Sequence, residues 1–250
     1  MNSENITKDV GSKQLKLNIG FKNLKSDYFL NKVFDIIKRN KSLEIVKYNE
    51  KLQERLNLSI NDYKEYSQLY SPIEIELNLV DNKFGKFINI SDNDKEYYHI
   101  YFDNLKEEIK INNLKENEKI EKIKIIIDYQ IKSFKRLFKY CGCISSIFFK
   151  KFNRINIIDM SEMFDGCLSL KELNLSNFNT NNVNDMNFMF SYCSSLKELN
   201  LSNFDTNNVK DMSSMFHFCS SLKELNLSNF NTYNVNNMCG MFSHCSSLKN

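Results

Sequence analysis

The sequence predicts an α/β solenoid, with parallel strands on a concave face and short helices outside, preceded by a small helical and antiparallel β region. Three observations carry this. From Met160 the chain repeats every 26 residues, as MSEMFDGCLSLKELNLSNFNTNNVND, MNFMFSYCSSLKELNLSNFDTNNVKD, MSSMFHFCSSLKELNLSNFNTYNVNN and the partial MCGMFSHCSSLKN. Fixed-period self-similarity of this length means stacked units. Each copy contains a helical and then a strand-like hydrophobic period. Neither part can bury its apolar side chains alone, so each unit needs neighbours.

Within one copy, Met186, Met189, Phe190 and Cys193 fall at i, i+3, i+4 and i+7, the spacing of one helix face. Asp185 precedes them, where a carboxylate can cap a helix start. Asp159, Asp211 and Asn237 occupy the same place in the other copies. The period then changes. Leu199 and Leu201 alternate with Glu198, Asn200 and Ser202, which predicts a half-buried strand. The segment NFDTNNV is rich in turn-forming residues, with Phe204 and Val209 as its apolar pins. Stacked strands lie about 4.8 Å apart, whereas packed helices need roughly 8–10 Å. The strand side is therefore expected on the inside of an arc.

The spacing Leu-x-x-Leu-x-Leu resembles leucine-rich repeats. The wording around LKELNLSNF and the following MSSMF segment resembles the 26-residue repeat of BspA-like bacterial and protist surface proteins. The resemblance covers residues 160–250 and implies a protein-binding solenoid. It departs at Phe178, Phe204 and Phe230, which stand where many leucine-rich strands end in Asn; here Asn comes one place earlier. The usual Asn ladder is not carried over.

The array is expected to begin before its clean copies. FKRLFKYCGCISSIFFKKFNRINIID aligns one period back, placing Phe134, Leu137, Phe138 and Cys141 on the helix positions and Ile144, Ile147 and Phe149 on the strand positions. Ile120, Ile123 and Ile125 suggest a leading strand. At the other end the sequence stops at SSLKN with no capping unit. That reads as a piece of a longer chain, or as an end open to self-association.

Residues 1–18 are polar and read as disordered. Residues 19–70 read as helical: Leu30, Val33, Phe34 and Ile37 make one stripe. Leu43, Val46, Leu52 and Leu56 make another behind Ser42, and a third helix follows Ser59. This segment resembles an F-box, the helical module that docks substrate adaptors onto ubiquitin ligases, although it lacks a Leu-Pro start. Residues 71–115 carry strand-like runs (IEIELNLV, KFGKFINI, YYHIYF, EEIKINNL) and predict a small antiparallel β region. Residues 116–250 are assigned to the repeats, C-terminally incomplete.

A net charge of +3 with interleaved signs gives no argument for nucleic acid. No apolar run resembles a signal peptide or approaches membrane-spanning length, which predicts a cytoplasmic protein. Cys141, Cys167, Cys193, Cys219 and Cys245 recur once per unit and read as small buried hydrophobes. A disulfide or metal column is not expected, because outer helices would hold them too far apart. His217 and His244 sit at different places in their units and are not expected to project together. No phosphate loop, metal-binding His pair or Ser elbow is found, so no enzyme activity, cofactor or metal is expected.

The most regular polar pattern is on the expected concave face. Glu172, Glu198 and Glu224 form one column, Asn174, Asn200 and Asn226 a second, and Ser176, Ser202 and Ser228 a third; Lys171, Lys197 and Lys223 run beside the glutamates. These predict a partner-binding face for a protein or peptide in a non-catalytic interaction scaffold. The alternatives are an F-box-like adaptor of a ubiquitin ligase and, as the BspA-like resemblance implies, a cell-surface adhesin.

Overall fold

The computed structural model describes residues 49–59, 61, 64, 68, 70–103, 105–116 and 118–249. The chain divides into two compact units, residues 1–67 and 68–250. In the first unit, α1 (Glu50–Arg55) starts behind Asn49, whose side chain accepts a hydrogen bond from the Leu52 amide. The helix carrying Leu52 thus begins at Glu50 with Asn49 as its cap; the expected start behind Ser42 lies outside the described residues. The remaining expected stripes, most of the third helix and the N-terminal tail lie outside the described residues.

The second unit holds β1 (Ile73–Leu79), β2 (Gly85–Lys86), a 3-10 turn (Lys95–Tyr97), β3 (Tyr98–Phe102), β4 (Asn113–Leu114), β5 (Lys122–Ile127), β6 (Ile144–Lys151) and β7 (Glu172–Asn174). The main sheet has the order β3-β5-β1-β6-β7, and β2 pairs with β4. Every pair in the main sheet is antiparallel except β6–β7. The alternation IEIEL makes β1 a strand with one buried face: Ile73, Ile75 and Leu77 are buried and pair with Ile127, Ile125 and Ile123 of β5. The leading strand thus belongs to the antiparallel sheet. The other edge of β1 pairs with β6, the strand of the degenerate unit, and so covers it.

The expected solenoid with outer helices does not form. Among the described residues from 71 onward the 3-10 turn is the only helical element, and the stretches read as outer helices are successive turns. The reason is visible in the backbone. In one copy Met163 N–H bonds the Met160 carbonyl and Cys167 N–H that of Phe164. Alternate amides point instead to the next copy: Met160, Glu162, Phe164 and Gly166 donate to the carbonyls of Asp185, Asn187, Met189 and Ser191, at 2.8–3.0 Å. Those bonds remove the i→i−4 partners of a helix. They also let this side stack at strand spacing, where helices could not. Glu162 and Gly166 have φ of +55° and +74°, a conformation foreign to an α-helix but required at the third position of a type II turn.

No inward arc is needed once both sides can stack alike. Backbone bonds close every step on the turn side. On the strand side Lys171 N–H reaches the Ser145 carbonyl at 2.8 Å and Lys223 N–H that of Lys197 at 3.3 Å, but none among the described residues joins 171–175 to 197–201. The expected strand-side tightening is absent.

A continuous core runs from the sheet through the repeats. Phe138, Phe164, Phe190, Phe216 and Phe242 stack with centroids 5.6–5.8 Å apart and planes within 8°. The pins Phe204 and Val209 are buried. Arg154 is also fully buried: its guanidinium donates to the carbonyls of Ser71, Asp128, Tyr129 and Ile131, and Nε to Asn156 Oδ1. Nothing in the repeat pattern marks this residue, because it lies in the degenerate unit.

Candidate functional site

Residues 171–176, 197–200 and 224–226 line a groove of about 1140 Å³ on the strand side. It crosses the step where the backbone ladder is open. Leu173 and Leu225 are half-buried, and with Leu199 and Phe148 they give the groove its apolar lining. Glu172, Glu198 and Glu224 line it and are exposed, as are Asn174, Asn200 and Asn226. Ser176 joins them; Ser202 and Ser228 are exposed but lie outside the lining. Sequence reasoning missed the leucine and Phe148 contribution. The signal was present, since Phe148 occupies in the degenerate unit the place that Asn174 holds one period later.

The asparagines of the groove do not bond one another along the stack. Each accepts hydrogen bonds from the serine two places on: Asn174 Oδ1 from Ser176 N at 3.0 Å and Oγ at 2.7 Å, Asn200 Oδ1 from Ser202 N at 3.0 Å, and Asn226 Oδ1 from Ser228 N at 2.9 Å. They fix the end of each strand segment. Asparagines just before the phenylalanines do link copies, as do Asn182, Asn208 and Asn234 in the turns. Asn203 Nδ2 donates to the carbonyls of Leu175 and Phe178, and Asn229 Nδ2 to those of Leu201 and Phe204. Asn177 Nδ2 reaches the Phe149 carbonyl. An inter-copy ladder thus exists, built from the displaced Asn.

Among the described residues the charges on this face form no ion pair: none joins Lys171, Lys197 or Lys223 to Glu172, Glu198 or Glu224, and all six are exposed. Glu198 and Glu224 sit directly opposite each other in a parallel bridge. Like charges so placed repel. Elsewhere the opposite occurs: Glu162 holds both Arg136 and Lys139, and Lys139 also reaches Asp165 at 2.9 Å. Burial works against the Lys139 charge, but those hydrogen bonds outweigh it and raise its pKa.

The cysteine column is structural. Cys167, Cys193, Cys219 and Cys245 each donate their thiol to the carbonyl of the phenylalanine 29 residues earlier, at 2.9–3.3 Å. Burial pushes the Cys219 thiol up to about 12 and that of Cys143 to about 11. His217 and His244, expected apart, are neighbours, with ring centroids 5.7 Å apart and Phe218 stacked on His244 at 4.1 Å. Stacking at strand spacing makes residues 27 apart diagonal neighbours, which outer helices would have prevented. Burial, then His244, lowers the His217 pKa against an opposing pull from Asp165. Among the described residues no three His, Cys, Asp or Glu side chains converge as metal ligands, and no helix is long and apolar enough to cross a membrane.

No curated protein and no solved structure matches the chain. Residues 132–250, which contain the turn-stacked copies, are similar to the family described as "Mycoplasma protein of unknown function, DUF285".

Proposed function

We propose that this chain is a non-catalytic protein-interaction module that binds a partner segment in the strand-side groove. The supporting observation is a groove whose lining holds four leucines, with exposed charges and asparagines beside them. Apolar lining gives a segment area to bury, and polar side chains around it fix register. The BspA-like wording of the repeats agrees with this role. The reading places the protein in the cytoplasm or another reducing compartment, because the thiol column works through S–H donors that oxidation would remove.

The experiment is selection of a random peptide library on the full chain, followed by fluorescence anisotropy of labelled winners. Enriched peptides should bind the wild type and lose at least tenfold in affinity to Asn200→Arg, which places a long side chain over the groove. Failure of any peptide to enrich, or equal binding to both proteins, would overturn the proposal.

A further inference from the structure

The lysine and glutamate columns run side by side in the same three copies, one pair per copy at 171/172, 197/198 and 223/224. All six side chains are exposed, and none is paired with another within the chain. A partner that satisfied them would need two columns of opposite charge repeating once per copy, at this face's own spacing. An extended peptide can fill the groove, but its side chains repeat on one face at about 6.8 Å, two residues on, and so cannot answer every charge of the two columns. A second array of the same repeats matches at every step.

We infer that the strand face pairs with the strand face of a second copy of this chain, related by a two-fold axis parallel to the stacking direction. That operator keeps the copies level and exchanges left and right. It sets Lys171, Lys197 and Lys223 of each chain opposite Glu172, Glu198 and Glu224 of the other. A two-fold across the stack would set lysine against lysine, so the charges select one arrangement. The interface is isologous and closes on itself. It rests on the reading of this face as an interaction surface and names the partner. Exposed ion pairs are individually weak, so the dimer is concentration- and salt-dependent.

The test is sedimentation equilibrium of the full chain with two triple variants. One carries Glu172→Lys, Glu198→Lys and Glu224→Lys; the other carries Lys171→Glu, Lys197→Glu and Lys223→Glu. The wild type should dimerise at about 0.01 M salt, where the Debye length is about 30 Å, and weaken at least tenfold at about 1 M, where it is about 3 Å. Each variant alone should be monomeric, and an equimolar mixture should form a heterodimer tighter than the wild-type dimer. Carbodiimide coupling in wild type should link Lys197 of one copy to Glu198 of the other, which needs no variant to fold. A monomeric wild type at low salt, variants that still self-associate, or a mixture that stays monomeric overturns the inference. Peptide selection is scored separately: a monomeric wild type that still captures groove-dependent peptides removes the dimer and leaves the interaction reading standing.

Discussion

The thiol of Cys193 lies 3.3 Å from the carbonyl oxygen of Phe164, one copy earlier, and supplies that buried oxygen with a hydrogen. The same contact recurs through the column, so the cysteines act as side-chain rungs where the turns leave a carbonyl facing the core. The same oxygen also accepts the Cys167 N–H at 3.1 Å, so Cys193→Ala removes one of its two donors and should cost about 0.5–1.5 kcal/mol for that bond. Cys193→Ser keeps a donor and should cost less. Urea unfolding of the two variants checks the order; an alanine variant as stable as serine would show that the thiol contributes packing alone.

The buried thiols, those of the column and Cys143 beside it, also set a response to alkali. The folded-state thiol pKa values of Cys143 and Cys219 are raised, to about 11 and about 12, by burial, and those of Cys141 and Cys193 rise in the same direction. A raised thiol pKa means the folded state holds its proton longer than the unfolded state. Its contribution is complete below the unfolded value of 9.0 and is lost as pH climbs toward the folded one. Each such thiol gives a slope of about 1.4 kcal/mol per pH unit inside that window. Thermal melting should therefore be flat with respect to these groups up to pH 9 and fall between pH 9 and 11. Cys219→Ala should reduce that slope while lowering the plateau.

The 26-residue period, the buried Met, Phe and Cys positions and the strand runs of β1, β3, β5 and β6 were legible in the sequence. The turn was not. Spacing at i, i+3, i+4 and i+7 marks side chains that meet on one face, and consecutive turns with left-handed residues satisfy it as well as a helix does. Gly166 and Gly240, both at positive φ, were the available hint, but Glu162, Phe188 and Tyr192 adopt the same φ without glycine. The groove residues were found because they repeat. Phe148 and Arg154 were missed because they lie in the unit that does not, and the histidine pair because its geometry depends on the stacking distance.

Glu198 stands across a parallel bridge from Glu224. Removing one charge relieves repulsion of the kind that costs a few tenths of a kcal/mol up to about 1 kcal/mol per facing pair. Glu198→Gln should leave the melting temperature unchanged or raise it, with the gain vanishing at high salt. On the other side of the same segment Leu201 is buried. Leu201→Asp places an unpaired carboxylate in the core, a cost of several kcal/mol, and should remove cooperative unfolding. A cooperative, wild-type-like melt of that variant would show the strand register to be wrong.

Gly166 has a φ of +74°, and a Cβ built on it would lie 2.2 Å from the Tyr140 ring. Two effects oppose Gly166→Ala: the left-handed backbone, at roughly 1–2 kcal/mol, and displacement of the ring. Tyr140 is 67% exposed, so its ring can swing aside. The backbone term should therefore dominate, and adding Tyr140→Ala to Gly166→Ala should restore only the smaller part of the loss. A double-mutant cycle by chemical denaturation separates the two; full restoration would assign the whole cost to the ring.

Arg154 donates from its guanidinium to four backbone carbonyls contributed by residues 71 and 128–131, with Asn156 on Nε. Burial lowers its pKa to about 10, yet the side chain stays charged at neutral pH. No carboxylate forms an ion pair with it among the described residues; the Asp128 charge offsets part of the burial cost and the carbonyl dipoles add to that. Each hydrogen bond from a charged donor contributes about 1.5–3 kcal/mol. Arg154→Met preserves much of the volume but removes the charged donor from all four carbonyls, and several kcal/mol of stability should go with those bonds. Arg154→Lys has three donors on a compact head and should recover only part, since it cannot span the fork that reaches Ser71 and Ile131 together. Hydrogen exchange should show the loss first in β1, β5 and the 128–131 loop, with residues 186–230 retaining more protection. Uniform loss across the second unit would show that Arg154 supports the whole core rather than the junction between the antiparallel sheet and the first repeat.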